Sequence, residues 1–510
     1  MADVRVRIAP SPTGPLHIGT ARTALYNYLH ARHVGGTFIL RLEDTDQARS
    51  SIAYEKDILD GLHWLGLSWD EGPEVAGDAA RGPHAPYRQM ERLPLYAEAA
   101  QRLLAEDKAY PCYCTSEELA AERARQELAK EPPRYSGRCA NLTADERAAF
   151  EAEGRRPAVR FRVGEGTVAF DDIVRGHIEI DVANLGGDFV ILRTDGSPLY
   201  HFVVVVDDAE MGITDVIRGE DHLPNTPKHI LLFRALGHEL PRFGHLPLIL
   251  NADRSKMSKR KSQTALSDYI SQGFIREALV NFLALLGWAT GTEEEILSLD
   301  EIVERFDIAE VHKGGAVFDR ERLEWLNGQW IRRLSPDELI DRLRPFVAAE
   351  FEAGRVDRMP SDEELAALLP VVRDRLPTLG AIGELVGFLW VDRLAVDPEV
   401  LVPKRWDAAT TREALTVAAE TIAAVPAVVF EADELEPPLR VLAETRGWKL
   451  SEEKNGWYVD QLKGKGMSII KPSEQLTADL RRVGNYMLAE WQRKTGEEGK
   501  KVIDAYRAQQ

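Results

Sequence analysis

The stretch Val4-Arg-Val-Arg-Ile-Ala9, Pro10-Ser-Pro-Thr-Gly-Pro15, Leu16-His17-Ile-Gly19-Thr20, a helix-patterned run to Gly35-Gly36, and then Thr37-Phe-Ile-Leu-Arg-Leu42 decides the fold. Residues 4–9 read as a strand and residues 10–15 as a turn. Apolar positions at Ala21, Ala24, Leu25, Tyr28 and Leu29 follow helical spacing, and Thr37–Leu42 reads as the next strand. Strand, helix and strand in so short a span form a βαβ unit and predict a parallel sheet. The Pro/Gly turn falls where a strand end meets a helix start, whose unpaired N–H groups and partial positive charge suit phosphate. Gly19 allows close approach of a flat base, and His17 is a hydrogen-bond donor that needs no permanent charge. Alone, such a segment is more often an ordinary turn.

Working outward, Asp57 to Leu65 is a second helix, stopped by Gly66. From about residue 91 the pattern changes. Helical stretches flank Tyr110-Pro-Cys112-Tyr-Cys114, and Glu/Ala-rich sequence continues to Gly154. Short β-type runs follow at Val159–Val163, Thr167–Phe170 and Phe189–Arg193, which reads as an insertion interrupting the sheet domain. The parallel-sheet pattern resumes with Tyr200-His-Phe-Val-Val-Val-Val-Asp-Asp208, whose apolar run has the length of a buried strand. It continues through Asp215-Val-Ile-Arg218 and a helix over Lys228–Leu236, and beyond about residue 260 the chain is mostly helical.

At 510 residues, with 44% hydrophobic and 29% charged positions, two to four domains are expected, and disordered, collagen-like and disulfide-stapled classes are excluded. The net charge of −19 disfavours a general nucleic-acid coat or an anionic-membrane binder. Any phosphate or carboxylate ligand then needs locally concentrated cations. Arg254-Ser-Lys256-Met-Ser-Lys259-Arg260-Lys261 supplies five in eight residues. Cations beside a phosphate stabilise charge developing during transfer. Three cysteines, no signal-peptide core and no long apolar run point to a soluble protein of a reducing cytoplasm, with no membrane partner.

His17-Ile-Gly-Thr20 resembles the first signature of class I aminoacyl-tRNA synthetases, and Lys256-Met-Ser-Lys-Arg260 resembles the second, with Arg260 where many members carry serine. Arg7-Ile-Ala-Pro-Ser-Pro-Thr-Gly14, Arg41-Leu-Glu-Asp-Thr-Asp46 and Val216-Ile-Arg-Gly-Glu-Asp-His222 narrow the likeness to the bacterial glutamate–tRNA ligases, over residues from about 4 to 448. The resemblance implies an α/β fold. Residues 1–90 and 201–252 would be the halves of a Rossmann-type catalytic domain. Residues 91–200 would be an α/β insertion that binds the acceptor stem. Residues 253–335 would contact the stem and carry the lysine loop, and 336–448 would be an all-helical anticodon-binding domain.

The implied reaction is ATP-dependent ligation of L-glutamate to tRNA(Glu) through glutamyl-adenylate, with magnesium and a monomeric enzyme. Catalysis falls to His17, Lys256 and Lys259. ATP binding is assigned to His17, Gly19, Glu220, Asp221, Lys256 and Lys259. Glutamate has two carboxylates and an ammonium. The matching positions offer Arg7 and Arg218 for the carboxylates, Glu43 for the ammonium, and Tyr200 and Ser11 as hydroxyl partners. Val204 stands where some relatives have asparagine, so that polar contact is dropped. Arg375, in Pro370-Val-Val-Arg-Asp-Arg-Leu-Pro377, aligns with an arginine that faces the third anticodon base.

Cys112, Cys114 and Cys139, with Tyr135, resemble a zinc site of some relatives. A zinc site and three reduced structural thiols stand here as equal alternatives. After Gly447 the family pattern stops. Residues 449–510 resemble the end of an extracytoplasmic solute-binding protein, by fusion, frameshift or assembly error, or else form a lineage-specific ending. Two rival functions are a glutamyl-queuosine tRNA synthetase, opposed by the helical half, and a non-catalytic tRNA- or nucleotide-binding paralogue, opposed by the intact His17, Gly19, Lys256 and Lys259.

Overall fold

A computed structural model describes residues 3–74, 80–257, 263–393, 397–404 and 406–424, with isolated positions between 460 and 493. Lys259, Arg260 and Lys261 lie outside the described residues, as does nearly all of the segment from 449. The chain divides into two compact units, Met1–Leu394 and Ala395–Gln510.

In the first unit β1 (Arg5–Ile8) leads into α1 (Ile18–Val34), which Gly35 ends in the left-handed conformation (φ 69°). β2 (Thr37–Leu40) and α2 (Ile52–Trp64, capped by Ser51) follow. Next come α3 (Leu93–Ala105), β3 (Ala109–Cys112), α4 (Ser116–Leu128), α5 (Ala144–Ala152) and β4 (Ala158–Phe161). β5 (Thr167–Asp172), β6 (Gly176–Asp181) and β7 (Phe189–Leu192) precede α6 (Tyr200–Glu210), β8 (Asp215–Gly219), α7 (Thr226–Leu236) and β9 (Arg242–Leu246).

The main sheet has the order β2-β1-β8-β9-β5-β6, with every pairing parallel except β5 with β6. Alternating residues cover both faces. Phe38, Leu40 and Ile217 enter a core with α1, while Ile39, Val216 and Phe243 enter one with α3, α6 and α7. From β1 the chain goes first to β2 on one side and later to β8 on the other. The carboxyl ends of β1 and β8 therefore flank a topological switch point, the usual ligand crevice of such sheets. The two strands pair near their amino ends, Val6 opposite Asp215. Beyond it, the Ile217 carbonyl accepts from Asn27 Nδ2 at 3.1 Å, which lets the strand ends part.

Two segments differ from the sequence reading. Tyr200–Asp208 is helix, not strand: Phe202 to Asp208 are all buried, and burial on every side overrides the β preference of four valines. β5, read as part of the insertion, lies in the main sheet beside β9, while β3, β4 and β7 form a separate antiparallel sheet. Strand propensity alone does not say which sheet a strand joins.

Then β10 (Ile249–Leu250) pairs with β11 (Ala316–Val317), which lies between α10 (Leu299–Arg305) and α11 (Arg320–Arg333); α8 (Leu266–Ser271) and α9 (Arg276–Leu285) precede α10. α12 (Pro336–Glu352), α13 (Asp362–Val372) and α14 (Ile382–Val386) share a helical core with Ile331, Leu343, Leu369 and Trp390. In the second unit the described helix is α15 (Ala408–Ala423), capped by Asp407. No helix of the described residues is long and apolar enough to cross a membrane.

Candidate active site

A cavity of about 460 Å³ opens at the carboxyl ends of β1, β8 and β9. It is lined by Arg7, Ser11, His17, Gly19, Glu43, Tyr200, Arg218, Asp221 and Lys256, so nine residues singled out in the sequence converge there.

The helix start is set by His17, which caps α1 by accepting from the Gly19 N–H through Nδ1 at 2.9 Å. That bond places the ring proton on Nε2. A Cβ at Gly19 would lie 3.1 Å from His17 Nδ1 and crowd the ring. Ile18 N donates to Thr264 O, and Leu266 N donates to Leu16 O, both at 2.8 Å. The chain leaving the lysine loop is thereby stitched to the first motif. At the loop's base Leu250 and Lys256 pair as an antiparallel bridge. Lys256 Nζ reaches Asp221 Oδ2 at 3.3 Å, with the two side chains 57% and 49% exposed. Glu220 is placed differently. Its carboxylate accepts from Leu248 N at 2.8 Å and pairs with Arg175, and it does not line the cavity.

The opposite end of the cavity is a buried charge cluster. Arg7 donates from Nε and Nη2 to Asp208 at 3.0 and 3.3 Å. Arg41, fully buried, donates to Asp208 at 2.8 Å and to Glu43 at 3.4 Å. Asp207, next to Asp208, is taken by Gln89, Arg92 and Tyr96 on another side of α6. Burial pushes the Glu43 carboxyl up to about 7, although Arg41 and Arg7 pull it down. Burial is also the first influence on Asp208, but Arg7 and Arg41 overcome it and hold its carboxyl below the usual range.

Arg218 contrasts with these arginines. Its Nε donates to His245 Nε2 at 3.2 Å, Nη1 meets His229 Nδ1 at 3.1 Å, and Nη2 donates to Thr226 Oγ1 at 2.8 Å. These partners are neutral. Burial first, then Arg218 itself, lowers His229 well below its ordinary value and His222 to about 4. Burial pushes the Arg218 guanidinium down to about 10, still charged at neutral pH. Tyr200 OH lies 2.9 Å from His222 Nδ1 on the same wall. Arg41 also lies 3.5 Å from Asp207, so with Glu43 ionised the four cations Arg7, Arg41, Arg92 and Arg218 face the three anions Asp207, Asp208 and Glu43, leaving one positive charge in excess.

Several working residues were not read from the sequence. Asp208 was given no role, though it shares one face of α6 with Tyr200 and Val204 at four-residue spacing, a helical signal hidden inside a valine run. Arg41 stood in a quoted motif without a role. His229 and His245 carry no local pattern.

In the insertion, Cys112, Cys114 and Cys139 place their sulfurs within 4.8 Å of one another. Tyr135 OH lies 3.5 Å from Cys112 Sγ and 3.6 Å from Cys114 Sγ. Arg160 Nε donates to Cys112 Sγ at 3.2 Å and stacks over the Tyr135 ring. The Cys112 thiol is pushed down to about 4, by the hydrogen bond with Cys139 first and those with Tyr135 and Arg160 after it, against burial. Three thiols and a phenol around one point, with a cation behind them, fit a tetrahedral zinc ion. Arg375 is exposed in the single turn Arg373–Arg375, away from this chemistry.

Comparison with known proteins gives the family. The pattern described as "tRNA synthetases class I (E and Q), catalytic domain" matches residues 3–325, and an "Anticodon binding domain" matches residues 338–452. A glutamate–tRNA ligase of Heliobacterium modesticaldum is 51% identical over 404 residues, 78% of this chain and 79% of that protein. One of Carboxydothermus hydrogenoformans is 48% identical over 400 residues, 78% of this chain and 82% of that protein. The crystal structure of a glutamate tRNA ligase from Elizabethkingia meningosepticum, in complex with its amino acid, superposes with a TM-score of 0.73 at 33% identity, covering 87% of this chain and 90% of that one.

Proposed function

This chain belongs to the class I tRNA synthetases of the glutamate and glutamine type, and from that premise we infer that it is a glutamate–tRNA ligase. It joins L-glutamate to the 3′ end of tRNA(Glu) with ATP, through glutamyl-adenylate, in protein synthesis. The observation that carries this reading beyond likeness is Arg218, a buried guanidinium whose partners are all neutral, in a cluster with one positive charge in excess. Glutamate, with two carboxylates and one ammonium, supplies one negative charge.

A free guanidinium face suits a carboxylate through paired hydrogen bonds. Glutamine would present an N–H₂ group to donors, leaving buried polar groups unmatched at a cost of about 1–3 kcal/mol. We assign the carboxylates to Arg218 and Arg7, the ammonium to Glu43, and a hydroxyl contact to Tyr200 and to Ser11, which is exposed at the rim.

In the first step a glutamate carboxylate oxygen bonds to the α-phosphorus of ATP and pyrophosphate leaves. In the second, a ribose hydroxyl of the tRNA terminus attacks the acyl carbon and AMP leaves. No covalent enzyme intermediate is required. The chain's contribution is to hold the reactants in line and to stabilise charge on the phosphate oxygens. His17, at the start of α1, is assigned a phosphate contact, and Lys256 offers a cation from an anchored loop base; Lys259, outside the described residues, is assigned the same role as Lys256. Asp221 is the carboxylate at this end of the cavity that would hold magnesium brought with ATP, which would neutralise phosphate charge. Glu220 serves this site by holding the Leu248 amide.

If zinc is bound, Cys112, Cys114, Cys139 and Tyr135 would hold it, and its contribution would be to fix the insertion. Arg375 is assigned to the anticodon. A monomer working in the cytoplasm completes the reading. The test is charging of purified tRNA with labelled glutamate, by the full chain and by a version ending at residue 448. Charging by the full chain is expected; no charging by either, with ATP binding intact, would overturn the ligase reading.

A further inference from the structure

Behind Arg218 lies a second pair of groups that the reaction as described does not use. Asp172, the last residue of β5, and His245, in β9, are both fully buried, with His245 Nδ1 2.5 Å from Asp172 Oδ2. The two carboxylate oxygens divide their work. Oδ1 accepts from the backbone N–H groups of Val174 at 3.0 Å, Arg175 at 2.8 Å and His245 at 3.2 Å, which caps the turn after β5. Oδ2 is left to the imidazole.

On its far side, His245 Nε2 accepts from Arg218 Nε and lies 3.0 Å from Thr226 Oγ1. An arginine N–H can only donate, so Nε2 must carry the lone pair and Nδ1 the proton. That tautomer is the one a carboxylate on Nδ1 enforces.

We propose that Asp172 is a positioning residue for glutamate recognition, acting through His245 to aim the Arg218 guanidinium at the substrate carboxylate. The inference rests on the functional reading above and deepens it. The physical logic lies in the spacer. A carboxylate placed directly on Arg218 would orient it but also neutralise it and occupy the face the substrate needs. An imidazole in between transmits hydrogen-bond direction and keeps the formal negative charge one ring away. Arg218 stays aimed and stays cationic. His229 and Thr226 hold the other two nitrogens, so the guanidinium plane is fixed at three points without a direct counterion.

Asp172→Asn separates positioning from capping. The amide oxygen can still accept the three backbone N–H groups, while its NH₂ now donates into Nδ1. The ring proton moves to Nε2, where it opposes the Arg218 Nε–H. We expect KM for glutamate to rise about 10- to 100-fold, the size of one lost buried hydrogen bond to a charged group, with KM for ATP within about twofold and kcat affected less than KM. Discrimination against glutamine should fall with it, and Asp172→Glu should restore part of the loss.

His245→Gln also breaks the relay, and adding Asp172→Asn to it should bring little further change; additive effects would overturn the proposal. Equal rises in both KM values, or a loss of stability with KM for glutamate unchanged, would also overturn it. If the Asp172→Asn chain does not fold, His245→Gln alone carries the test on the same criteria.

Calorimetric glutamate binding, measured beside charging with tRNA present, distinguishes the two readings. A wild-type chain that charges tRNA while Asp172→Asn keeps its glutamate affinity sinks this inference alone. A wild-type chain that binds glutamate but never charges sinks the ligase reading, and the selective loss of binding still decides the role of Asp172. A wild-type chain that does neither sinks both.

Discussion

The two ends of the cleft use the same kinds of side chain and differ in how much water reaches them. At the end we assign to glutamate, Arg7, Arg41, Arg218, Asp208 and Glu43 are all buried and fixed by named partners. At the nucleotide end Lys256 and Asp221 are about half exposed and meet at 3.3 Å. Buried charges are costly to desolvate and are tolerated only when held in place, so that end can measure the shape and charge of a small substrate. Exposed charges are screened and free to move, so the other end can follow phosphates as bonds change. On the proposed assignment, different burial of similar groups would serve selection of the amino acid at one end and stabilisation of the transition state at the other.

The widest separation between the two ends should come from Arg218→Ala. It empties a buried cation site, and kcat/KM for glutamate should fall roughly a thousandfold with ATP affinity unchanged. A loss of less than tenfold would break the contrast. Lys256→Ala should instead lower kcat by about 10- to 100-fold and leave KM for glutamate nearly constant, as expected for a group acting in the transition state. Steady-state adenylation with tRNA present measures both, and raised salt should mimic part of the Lys256 loss but not the Arg218 loss.

Glu43 sharpens the comparison through pH. Its carboxyl is pushed up to about 7 by burial, so below that value it is protonated and cannot neutralise an ammonium. KM for glutamate should rise as pH falls below 7, by at most about tenfold per unit, and Glu43→Gln should abolish that slope. The stability effect has the opposite sign. The folded pKa of about 7 exceeds the ordinary 4.5, so the folded state holds an extra proton between them and loses stability as pH rises through that window. Glu43→Gln should therefore raise Tm at pH 8 and leave it unchanged near pH 4. The smallest effect should come from Arg344→Ala. It breaks an exposed pair with Asp362 at 2.6 Å, and denaturant unfolding should move by less than about 1 kcal/mol.

Much of the site was legible in the chain because its motifs are contiguous. His17, Gly19 and Lys256 sit at turns whose punctuation is local, and Arg7, Glu43 and Arg218 end strands or follow them closely. What was not legible depends on partners far apart in sequence. Asp208 meets Arg7 across 201 residues, and Asp172 meets His245 across 73. A valine run reads as strand until its surroundings are known, and Tyr200, Val204 and Asp208 show their common face only once it is a helix.

The sequence by itself determined the parallel sheet, the phosphate-suited helix start, the cationic loop and the family these motifs resemble, because spacing and turn chemistry act within a few residues. Only the tertiary structure decided that α6 is a helix, that β5 belongs to the main sheet, that Glu220 holds a backbone amide, and that Arg218 is a cation enclosed by neutral partners. Those outcomes depend on which distant groups share a buried volume, where an unpaired charge or hydrogen bond costs kilocalories and each must find a partner or keep a place for a substrate.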